Sequence, residues 1–527
     1  MSFIGKDSWL SNQDIKGHGE DETGRPVSPA PSIEGDVNEA EQINVVFPDG
    51  EDPVTMTRRD FMRVSSTAAA AGALATTSAC QIPTEYIAPL AERPEGFNGG
   101  QVMIYNSASA DGSGTPIRIR SRGGRPIHIE SNPGHPLSGC GITARHGAAI
   151  LDLYDPDRAQ EPLQRVEGKW VETNYGTLDG AVAEALGKNQ GKVVFLTGSQ
   201  HGIAITEAMY EMCAAFGGRH LQFQSDGNTA LLDAAEASYG VRKAPDYRLG
   251  KARVIVGFGA EFLDNFLDPS RFQGGWSEGR NVDSLGGKMS RTIIFDSRMT
   301  ITGANADIRH RVAPRFQEDV ALAVLRLVAI KMENTALVTQ LKAFTPEAVA
   351  ETSGLSVAAI QSTASDLLEV PGESVVMAGG VGSSKGLEVA VNLLNDLLSN
   401  TGRTIHPGRS HQMVEGLAQL KALADDMNAG KVGALVILGA NPVHAGSNLG
   451  FKEAMAKVNT IIVANDRQDE TGQLAHFFAP LSHNLEGWSD IHSVEGVHSI
   501  RQPAINPLYN SRSMLDHLIA WGSITRQ

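Results

Sequence analysis

The feature that most constrains the fold is a regular alternation of short apolar runs with helical patterns from residue 192 onward. Each apolar run is of strand length and rich in Val, Ile and Ala, and the segments between them repeat apolar residues every three or four positions. Short buried strands separated by helices are typical of parallel sheets that are covered on both faces. The sequence therefore predicts an α/β fold. The predicted strands are 192–198, 252–258, 292–296, 374–380, 433–440 and 460–466, and the predicted helices are 205–216, 317–331, 387–400 and 413–427.

The segment before this alternation has a different pattern. Residues 81–165 are rich in loops and contain two alternating runs, 116–120 and 126–130, which predict a small β-rich N-terminal region. We therefore expect five parts in the chain. They are a disordered acidic leader (1–57), a signal (58–80), the loop- and β-rich region (81–165), a first α/β domain (166–365), and a second α/β domain with a C-terminal tail (366–527).

The charge of the chain argues against a nucleic-acid partner. Forty-five basic and sixty acidic residues give a net charge of −15, whereas a nucleic-acid groove needs a basic stripe. Much of the acidic excess lies in residues 1–57, which hold twelve acidic and three basic residues and show no apolar periodicity. Such a composition predicts a disordered leader.

A targeting signal follows the leader. Arg58 and Arg59 are followed by Phe61, a weakly apolar Ala-rich stretch and then Cys80. This order is typical of a twin-arginine signal, which directs the export of folded proteins. A short Ala-rich helix within a soluble domain is the alternative. A membrane span is excluded, because residues 64–79 are too few and too polar to cross a bilayer core of about 30 Å.

Three fates are open for Cys80. The first is processing followed by lipidation, which the small residues before it, Thr77-Ser78-Ala79, fit, although the third residue back is usually leucine. The second is simple cleavage near Ala79, and the third is retention of the segment. A lipid on Cys80 would hold the mature chain on a membrane surface. The signal predicts the periplasmic side of the bacterial inner membrane, with a lipid anchor as one option.

The cysteine count limits the redox chemistry of the chain. Cys80, Cys140 and Cys213 are its three cysteines, and no pair has the CxxC spacing. They cannot form a four-thiolate zinc or iron–sulfur site, and they cannot attach haem covalently. The sequence predicts no metal ligands and no catalytic residues. Glu486 is a plausible buried carboxylate without a paired acid, and the histidines match turn caps better than metal ligands.

Loops at the ends of the predicted strands are the candidate binding positions, because ligands of open α/β sheets bind there. Residues 195–202 and 377–386 are glycine- and serine-rich loops that could cradle phosphate groups, 438–445 contains an Asn-Pro turn, and 293–300 places an Asp and an Arg after a strand. No GxGxxG or P-loop motif is present. Taken singly, each loop matches a structural turn better than a ligand site.

Together and in order, these segments resemble the molybdopterin oxidoreductase superfamily. Within it, the chain resembles the large exported subunit of alternative complex III, a membrane complex that is a quinol:electron-acceptor oxidoreductase. The resemblance covers about residues 55–520. It is carried by GGRPIHIESNPGHP (123–136), RTIIFDSRMTITGANADIRHRVAP (291–314), LGANPVHA (438–445) and DETGQLAHFFAPLSHNLEGWSD (469–490), and, for the closer match, by EYIAPLAERPEG (85–96) and AILDLYDPDR (149–158).

The resemblance implies a structural subunit, because this chain lacks the four N-terminal cysteines of the catalytic relatives. It implies no cofactor on this chain, a vestigial cofactor cleft, and partners that carry the redox centres: an iron–sulfur subunit or domain, membrane-embedded quinol-binding subunits and a multihaem cytochrome. The alternative is an active molybdopterin guanine dinucleotide oxidoreductase without the N-terminal cluster. The cleft residues implied are Asp296, Arg298, Ser383, Ser384, Lys385, Gly439, Asn441, Pro442 and Asp466.

Overall fold

The computed structural model describes residues 43–44, 55–56 and 102–524, with gaps at 111–112, 138–140, 200–201, 226, 284–287, 381 and 412–415. The chain divides into two compact units, Met1–Glu95 and Gly96–Gln527. In the first unit, strands β1 (Ile43–Asn44) and β2 (Thr55–Met56) form an antiparallel pair. The predicted signal residues Arg58, Arg59 and Phe61 and the candidate lipidation site Cys80 lie outside the described residues.

The second unit contains the remaining strands and the helices. The strands are β3 (Val102–Ala108), β4 (Pro116–Arg122), β5 (Arg125–Ser131), β6 (Leu163–Val166), β7 (Lys169–Glu172), β8 (Val193–Thr197), β9 (Arg219–Gln222), β10 (Ala244–Tyr247), β11 (Val254–Phe258), β12 (Arg291–Asp296), β13 (Ile308–Arg311), β14 (Ser374–Ala378), β15 (Ile405–His411), β16 (Ala434–Leu438), β17 (Thr460–Asn465), β18 (Phe477–Pro480), β19 (Ser489–Val494) and β20 (Val497–Arg501). The helices are α1 (Ala144–Leu153), α2 (Tyr175–Lys188), α3 (Ile203–Phe216), α4 (Thr229–Tyr239), α5 (Pro269–Glu278), α6 (Ile301–Ala304), α7 (Pro314–Lys331), α8 (Thr335–Gln340), α9 (Pro346–Ser353), α10 (Val357–Leu368), α11 (Lys385–Leu397), α12 (Ala418–Asn428), α13 (Pro442–Ala445), α14 (Phe451–Met455) and α15 (Met514–Ile524).

The β-rich N-terminal region is a three-stranded antiparallel sheet, β3-β4-β5, as the alternating pattern predicts. Its inner face buries Ile117, Ile119 and Ile129 against Leu153 of α1 and Leu485 of a distant loop. This small core joins the N-terminal region to the late part of the chain.

A seven-stranded sheet, in the order β7-β6-β18-β17-β16-β8-β9, forms the larger α/β layer. Strands β18, β17, β16, β8 and β9 are parallel, and the apolar runs of β17, β16 and β8 are buried on both faces by helices. Strand β6 pairs antiparallel with β18, and β7 pairs antiparallel with β6 at the edge of the sheet. The predicted strands at 192–198, 433–440 and 460–466 are confirmed as β8, β16 and β17.

A four-stranded parallel sheet, in the order β13-β12-β11-β14, forms the second α/β layer. Helices α7, α10 and α11 cover one face and bury Val324, Ile360 and Leu394 against Val256 and Val376. Strand β14 begins at Ser374, after the predicted domain boundary at 365, and it pairs with β11. Both parallel sheets therefore combine segments that are distant in sequence.

The fourth sheet of this unit is antiparallel, in the order β10-β15-β19-β20, and the alternation of strand and helix patterns does not predict it. Strands β10 and β15 each contain a proline, and β19 and β20 form a hairpin around Glu495-Gly496.

No helix in the described part of the chain is long and apolar enough to cross a membrane.

Candidate functional site

The predicted cleft residues lie at the carboxyl ends of two different sheets. Asp296 ends β12, and Ser383, Ser384 and Lys385 follow β14, so this group lies at the edge of the four-stranded sheet. Arg298 follows two residues after Asp296. The structure therefore brings these five residues to one sheet edge, with β11 between their two strands.

The second group lies at the edge of the seven-stranded sheet. Gly439 follows β16, and Asn441 and Pro442 begin α13, while Asp466 follows the neighbouring strand β17. Gly439 has a φ of 59°, and a Cβ atom on Gly198 would lie 2.7 Å from the Gly439 carbonyl oxygen. The loops after β8 and β16 therefore approach each other closely only because both positions are glycine.

At the four-stranded sheet, Asp296 is buried and already paired. Its carboxylate forms an ion pair with the Arg309 guanidinium at 2.7 Å and accepts a hydrogen bond from the Thr300 hydroxyl at 3.2 Å. Thr300 in turn caps α6 by accepting from the Gly303 backbone N–H. Asp296 therefore stabilises the turn after β12.

Glutamates bond to the other polar side chains of this edge. The exposed Arg298 guanidinium donates to Glu261 at 2.5 Å and 3.1 Å. Ser384 caps α11 by accepting from the Leu387 backbone N–H, and its hydroxyl donates to Glu318 at 2.5 Å. The preceding hydroxyl, Ser383, donates to Glu388 at 2.6 Å. Lys385 is exposed in the first turn of α11.

Glu388 is a fully buried carboxyl on α11, and the sequence reasoning missed it. Burial raises its pKa from 4.5 to about 7, against the hydrogen bond from Ser383, which acts to lower it. Because one carboxyl oxygen has no hydrogen-bond partner, the protonated form suits this environment better than the charged form. The signal in the sequence was only a glutamate within an apolar helix pattern.

At the seven-stranded sheet, Asn441 is bonded in the same way. Its side chain accepts from the His444 backbone N–H at 3.1 Å and from the Thr471 hydroxyl at 2.7 Å, and it donates to Glu470 at 2.6 Å. Pro442 is buried at the first position of α13, where proline suits the helix start. The Asn-Pro turn thus connects β16 to the segment after β17.

A cavity of about 380 Å³ lies beside this second edge. Gly439 and Asp466 line it from the seven-stranded sheet, Arg145 lines it from α1, and Trp488, which precedes β19, and Arg501 of β20 line it from the antiparallel side. Burial lowers the pKa of the Arg501 guanidinium. The cavity therefore lies where three parts of the unit meet, and basic side chains border it.

A buried ion pair lies beside this cavity and joins two distant segments of the chain. Arg158 donates to Glu486 through two hydrogen bonds, of 3.0 Å and 2.6 Å, and both side chains are almost fully buried. Glu486 also accepts from the backbone N–H groups of His483 and Leu508. The pair joins AILDLYDPDR (149–158) to HNLEGWSD (483–490), two segments that are far apart in the chain. The expectation of a buried Glu486 is confirmed; its partner Arg158 was missed.

Several histidines of the described residues accept hydrogen bonds from backbone N–H groups, three of them within a local turn. The Nδ1 atoms of His135, His146, His476 and His483 accept from the backbone N–H groups of Leu137, Thr143, Ile461 and Leu485, at 3.0 Å to 3.3 Å. Burial and Arg158 lower the pKa of His483 to about 4. Among the residues that the structure describes, no three His, Cys, Asp or Glu side chains are grouped to hold a metal ion.

The fold and the sequence together are molybdopterin-oxidoreductase-like. The chain is 24% identical over 465 residues to the menaquinone reductase molybdopterin-binding-like subunit of Nitratidesulfovibrio vulgaris, which covers 81% of this chain and 66% of that subunit. It is 23% identical over 260 residues to the thiosulfate reductase molybdopterin-containing subunit of Salmonella typhimurium, covering 48% of this chain and 33% of that subunit. The chain thus spans less than two thirds of these relatives.

The solved structure of acetylene hydratase from Pelobacter acetylenicus has the same fold. It superposes with a TM-score of 0.66 over 80% of this chain and 69% of the hydratase, at 14% sequence identity. No family model matches the chain. The predicted molybdopterin-oxidoreductase-like fold is therefore confirmed.

Proposed function

We propose that this chain is a non-catalytic structural subunit of a membrane-associated respiratory quinol:electron-acceptor oxidoreductase of the alternative complex III type, and that it binds no cofactor. One observation carries the proposal. Four polar side chains of the predicted cleft, Arg298, Ser383, Ser384 and Asn441, each donate a hydrogen bond to a glutamate. These four donors are therefore engaged within the protein.

These residues do not fit a guanine dinucleotide. Its pyrophosphates are anionic and need free N–H and O–H donors, whereas glutamate oxygens at the cleft would repel them. The guanine amines need a free carboxylate, and Asp296 is paired with Arg309. A cleft of this kind supports a structural role rather than an active molybdopterin enzyme.

The likeness to a menaquinone reductase subunit supports a place in a multi-subunit quinone-linked complex. In the proposed complex, the partners are an iron–sulfur subunit or domain, membrane-embedded quinol-binding subunits and a multihaem cytochrome. This chain would hold them in a fixed geometry on the periplasmic face of the inner membrane. It contributes surfaces and rigidity, and its partners contribute the electron-transfer centres.

Metal content tests the proposal directly. We expect the chain, purified in its complex from its own membranes, to contain less than about 0.1 molybdenum or tungsten atom per chain, because glutamates engage four of the polar side chains of the predicted cleft. Elemental mass spectrometry of the complex measures this ratio, and iodine oxidation followed by pterin fluorescence checks it independently. A molybdopterin enzyme purified in parallel is the positive control. One molybdenum atom per chain would establish the active oxidoreductase instead.

Export is the second test. We propose that Arg58 and Arg59 form a twin-arginine signal, so the double variant Arg58→Lys/Arg59→Lys is expected to leave the chain in the cytoplasm. Fractionation followed by immunoblotting measures the periplasmic share, which should fall at least tenfold. The variant Arg25→Lys, in the leader outside the signal, is the matched control. Unchanged export of the double variant would overturn the proposed route, and mass spectrometry of the mature N-terminus would show whether Cys80 carries lipid.

A further inference from the structure

The outer face of the three-stranded sheet β3-β4-β5 carries a group of arginines. The inner face of this sheet is buried around Ile117 and Ile119, so the residues that alternate with them on β4 face outward. The strand register extends this outer face across the sheet in three cross-strand rows, which are Val102–Arg122–Arg125, Ile104–Arg120–His128 and Asn106–Arg118–Glu130. We call the side chains of these three rows the basic face.

The basic face is positively charged although the whole chain is acidic. Glu130 is its acidic residue, and Arg118 and Arg120 both pair with that carboxylate, at 2.8 Å and 3.0 Å. Four arginines and one glutamate leave the face with a formal net charge of +3, whereas the whole chain has −15. Because Glu130 lies in the third row, the positive charge is greatest at the opposite end of the face, around Arg122 and Arg125.

Arg122 and Arg125 lie directly opposite each other where β4 turns into β5. Like charges in such a cross-strand pair destabilise a sheet, and an anion bound at this position would relieve the repulsion. Gly123 and Gly124 form the turn with φ angles of 59° and 77°. A Cβ atom on either glycine would meet no other atom of the described chain within 4 Å, so the tip of the hairpin projects from the surface.

Apolar side chains lie among the arginines. Val102 and Ile104 are directly opposite Arg122 and Arg120, and they are 42% and 50% exposed. Single exposed aliphatic residues are common on protein surfaces, but these two are in register with cations on one sheet face. Arginines beside exposed aliphatic groups are typical of surfaces that lie in the headgroup layer of a bilayer, where the cations meet phosphates and the apolar groups enter the acyl boundary.

Two further features favour phosphates that are arranged in a plane. The four cations of the face are all arginines, whose planar guanidinium groups bind phosphate through two parallel N–H donors. A projecting tip can approach many headgroups at once, and each basic residue near an anionic bilayer strengthens binding by about fivefold. The acidic remainder of the chain is repelled by the same surface, so the basic face would set the orientation of the protein.

We propose that the basic face is the surface through which this chain contacts the bilayer. Arg120, Arg122 and Arg125 bind the phosphates of anionic phospholipid headgroups, and Val102 and Ile104 reach the acyl boundary. The inference rests on the proposed function, which places the chain on a membrane, and it names the surface that makes this contact. It does not require a lipid on Cys80.

Photo-cross-linking in native membranes tests the contact. The variant Ile104→p-benzoylphenylalanine, expressed in the native host and irradiated before the membranes are dissolved, is expected to form a phospholipid adduct. Peptide mass spectrometry detects the adduct and identifies the headgroup. The same substitution at Ile330, which is 47% exposed on α7, is the matched control and should give no such adduct.

Vesicle binding of the full chain tests the charges. The variant Cys80→Ala is the background of every protein compared, so that no attached lipid contributes. On vesicles of phosphatidylethanolamine and phosphatidylglycerol, Arg122→Gln/Arg125→Gln is expected to lower binding at least tenfold, and vesicles of phosphatidylcholine alone should bind the chain weakly. The variant Arg253→Gln/Arg403→Gln, which removes two exposed arginines elsewhere, should keep its binding. The leader is the same in each protein, and circular dichroism confirms that each is folded.

The outcomes separate the two proposals. If the chain is recovered from its host in the soluble fraction and not with the membranes, the proposed membrane association fails. If it is recovered with the membranes, but position 104 cross-links to a protein or to nothing, or the two double variants bind anionic vesicles equally well, then the basic face is not the bilayer contact while the proposed function stands. Displacement from the vesicles by inorganic phosphate, but not by sodium chloride at the same ionic strength, would indicate a site for free phosphate and would also overturn the inference.

Discussion

Replacing Arg158 with alanine is expected to lower the free energy of unfolding by about 3–5 kcal/mol, because it leaves the Glu486 carboxylate buried without its charged partner. The pair is bidentate, with both side chains at most 1% exposed. Although burial acts to raise the pKa of Glu486, the hydrogen bonds from Arg158 and two backbone N–H groups keep it below its usual value. The carboxyl therefore stays charged in the folded chain and needs a positive partner. Urea unfolding followed by tryptophan fluorescence measures the loss.

Two further variants make this test specific. The double variant Arg158→Met/Glu486→Leu removes both charges and is expected to be less destabilised than Arg158→Ala alone. Arg298→Ala breaks an ion pair whose arginine is 68% exposed, and it should change stability by less than about 1 kcal/mol. A loss below about 1 kcal/mol for Arg158→Ala would mean that the pair does not hold these segments together.

Raising the pH from 5 to 8 is expected to weaken the folded chain through Glu388, and the variant Glu388→Gln should remove that dependence. Burial raises the pKa of Glu388 from 4.5 to about 7. Between these values the folded chain holds a proton that the unfolded chain has lost, so stability falls as the pH rises through this window. The difference corresponds to about 3 kcal/mol. Glutamine keeps an acceptor for the Ser383 hydroxyl without a charge.

The measurement is the difference in unfolding free energy between Glu388→Gln and the wild type at several pH values. We expect the two proteins to be similar near pH 4.5 and the variant to be more stable by about 3 kcal/mol near pH 8. Glu351→Gln, on the exposed surface of α9, is the matched control and should give no such divergence. A difference that does not change with pH would show that Glu388 does not titrate in this window.

Local sequence patterns predicted the strands of the two parallel sheets because each of these strands has a recognisable apolar pattern of its own. Strands β8, β11, β12, β14, β16 and β17 are continuous apolar runs buried on both faces, and each was predicted to within about two residues. The antiparallel sheet gives no such signal, since β10 and β15 contain prolines and their partners lie elsewhere in the chain. Its strands depend on tertiary pairing more than on local pattern.

The same distinction explains which parts of the candidate site could be predicted from the sequence. Asp296, Ser384 and Asn441 follow predicted strands, so their positions at sheet edges were predictable. Their partners were not, because Glu318 and Glu470 come from other segments and Arg309 lies on the next strand of the sheet, and contacts of this kind leave no mark on local periodicity. Arg158 and Glu486 were both within noted motifs, but 328 positions separate them.

The order of strands in the seven-stranded sheet has a consequence for the synthesis of the chain on the ribosome. Strand β8 pairs with β16, and the two begin at Val193 and Ala434. At about 5–20 residues per second, a ribosome makes β16 roughly 10–50 s after β8. Throughout that interval the β8 edge stays open, and an open apolar edge invites aggregation. The β8 edge of the sheet therefore cannot be paired with β16 until most of the chain has been made.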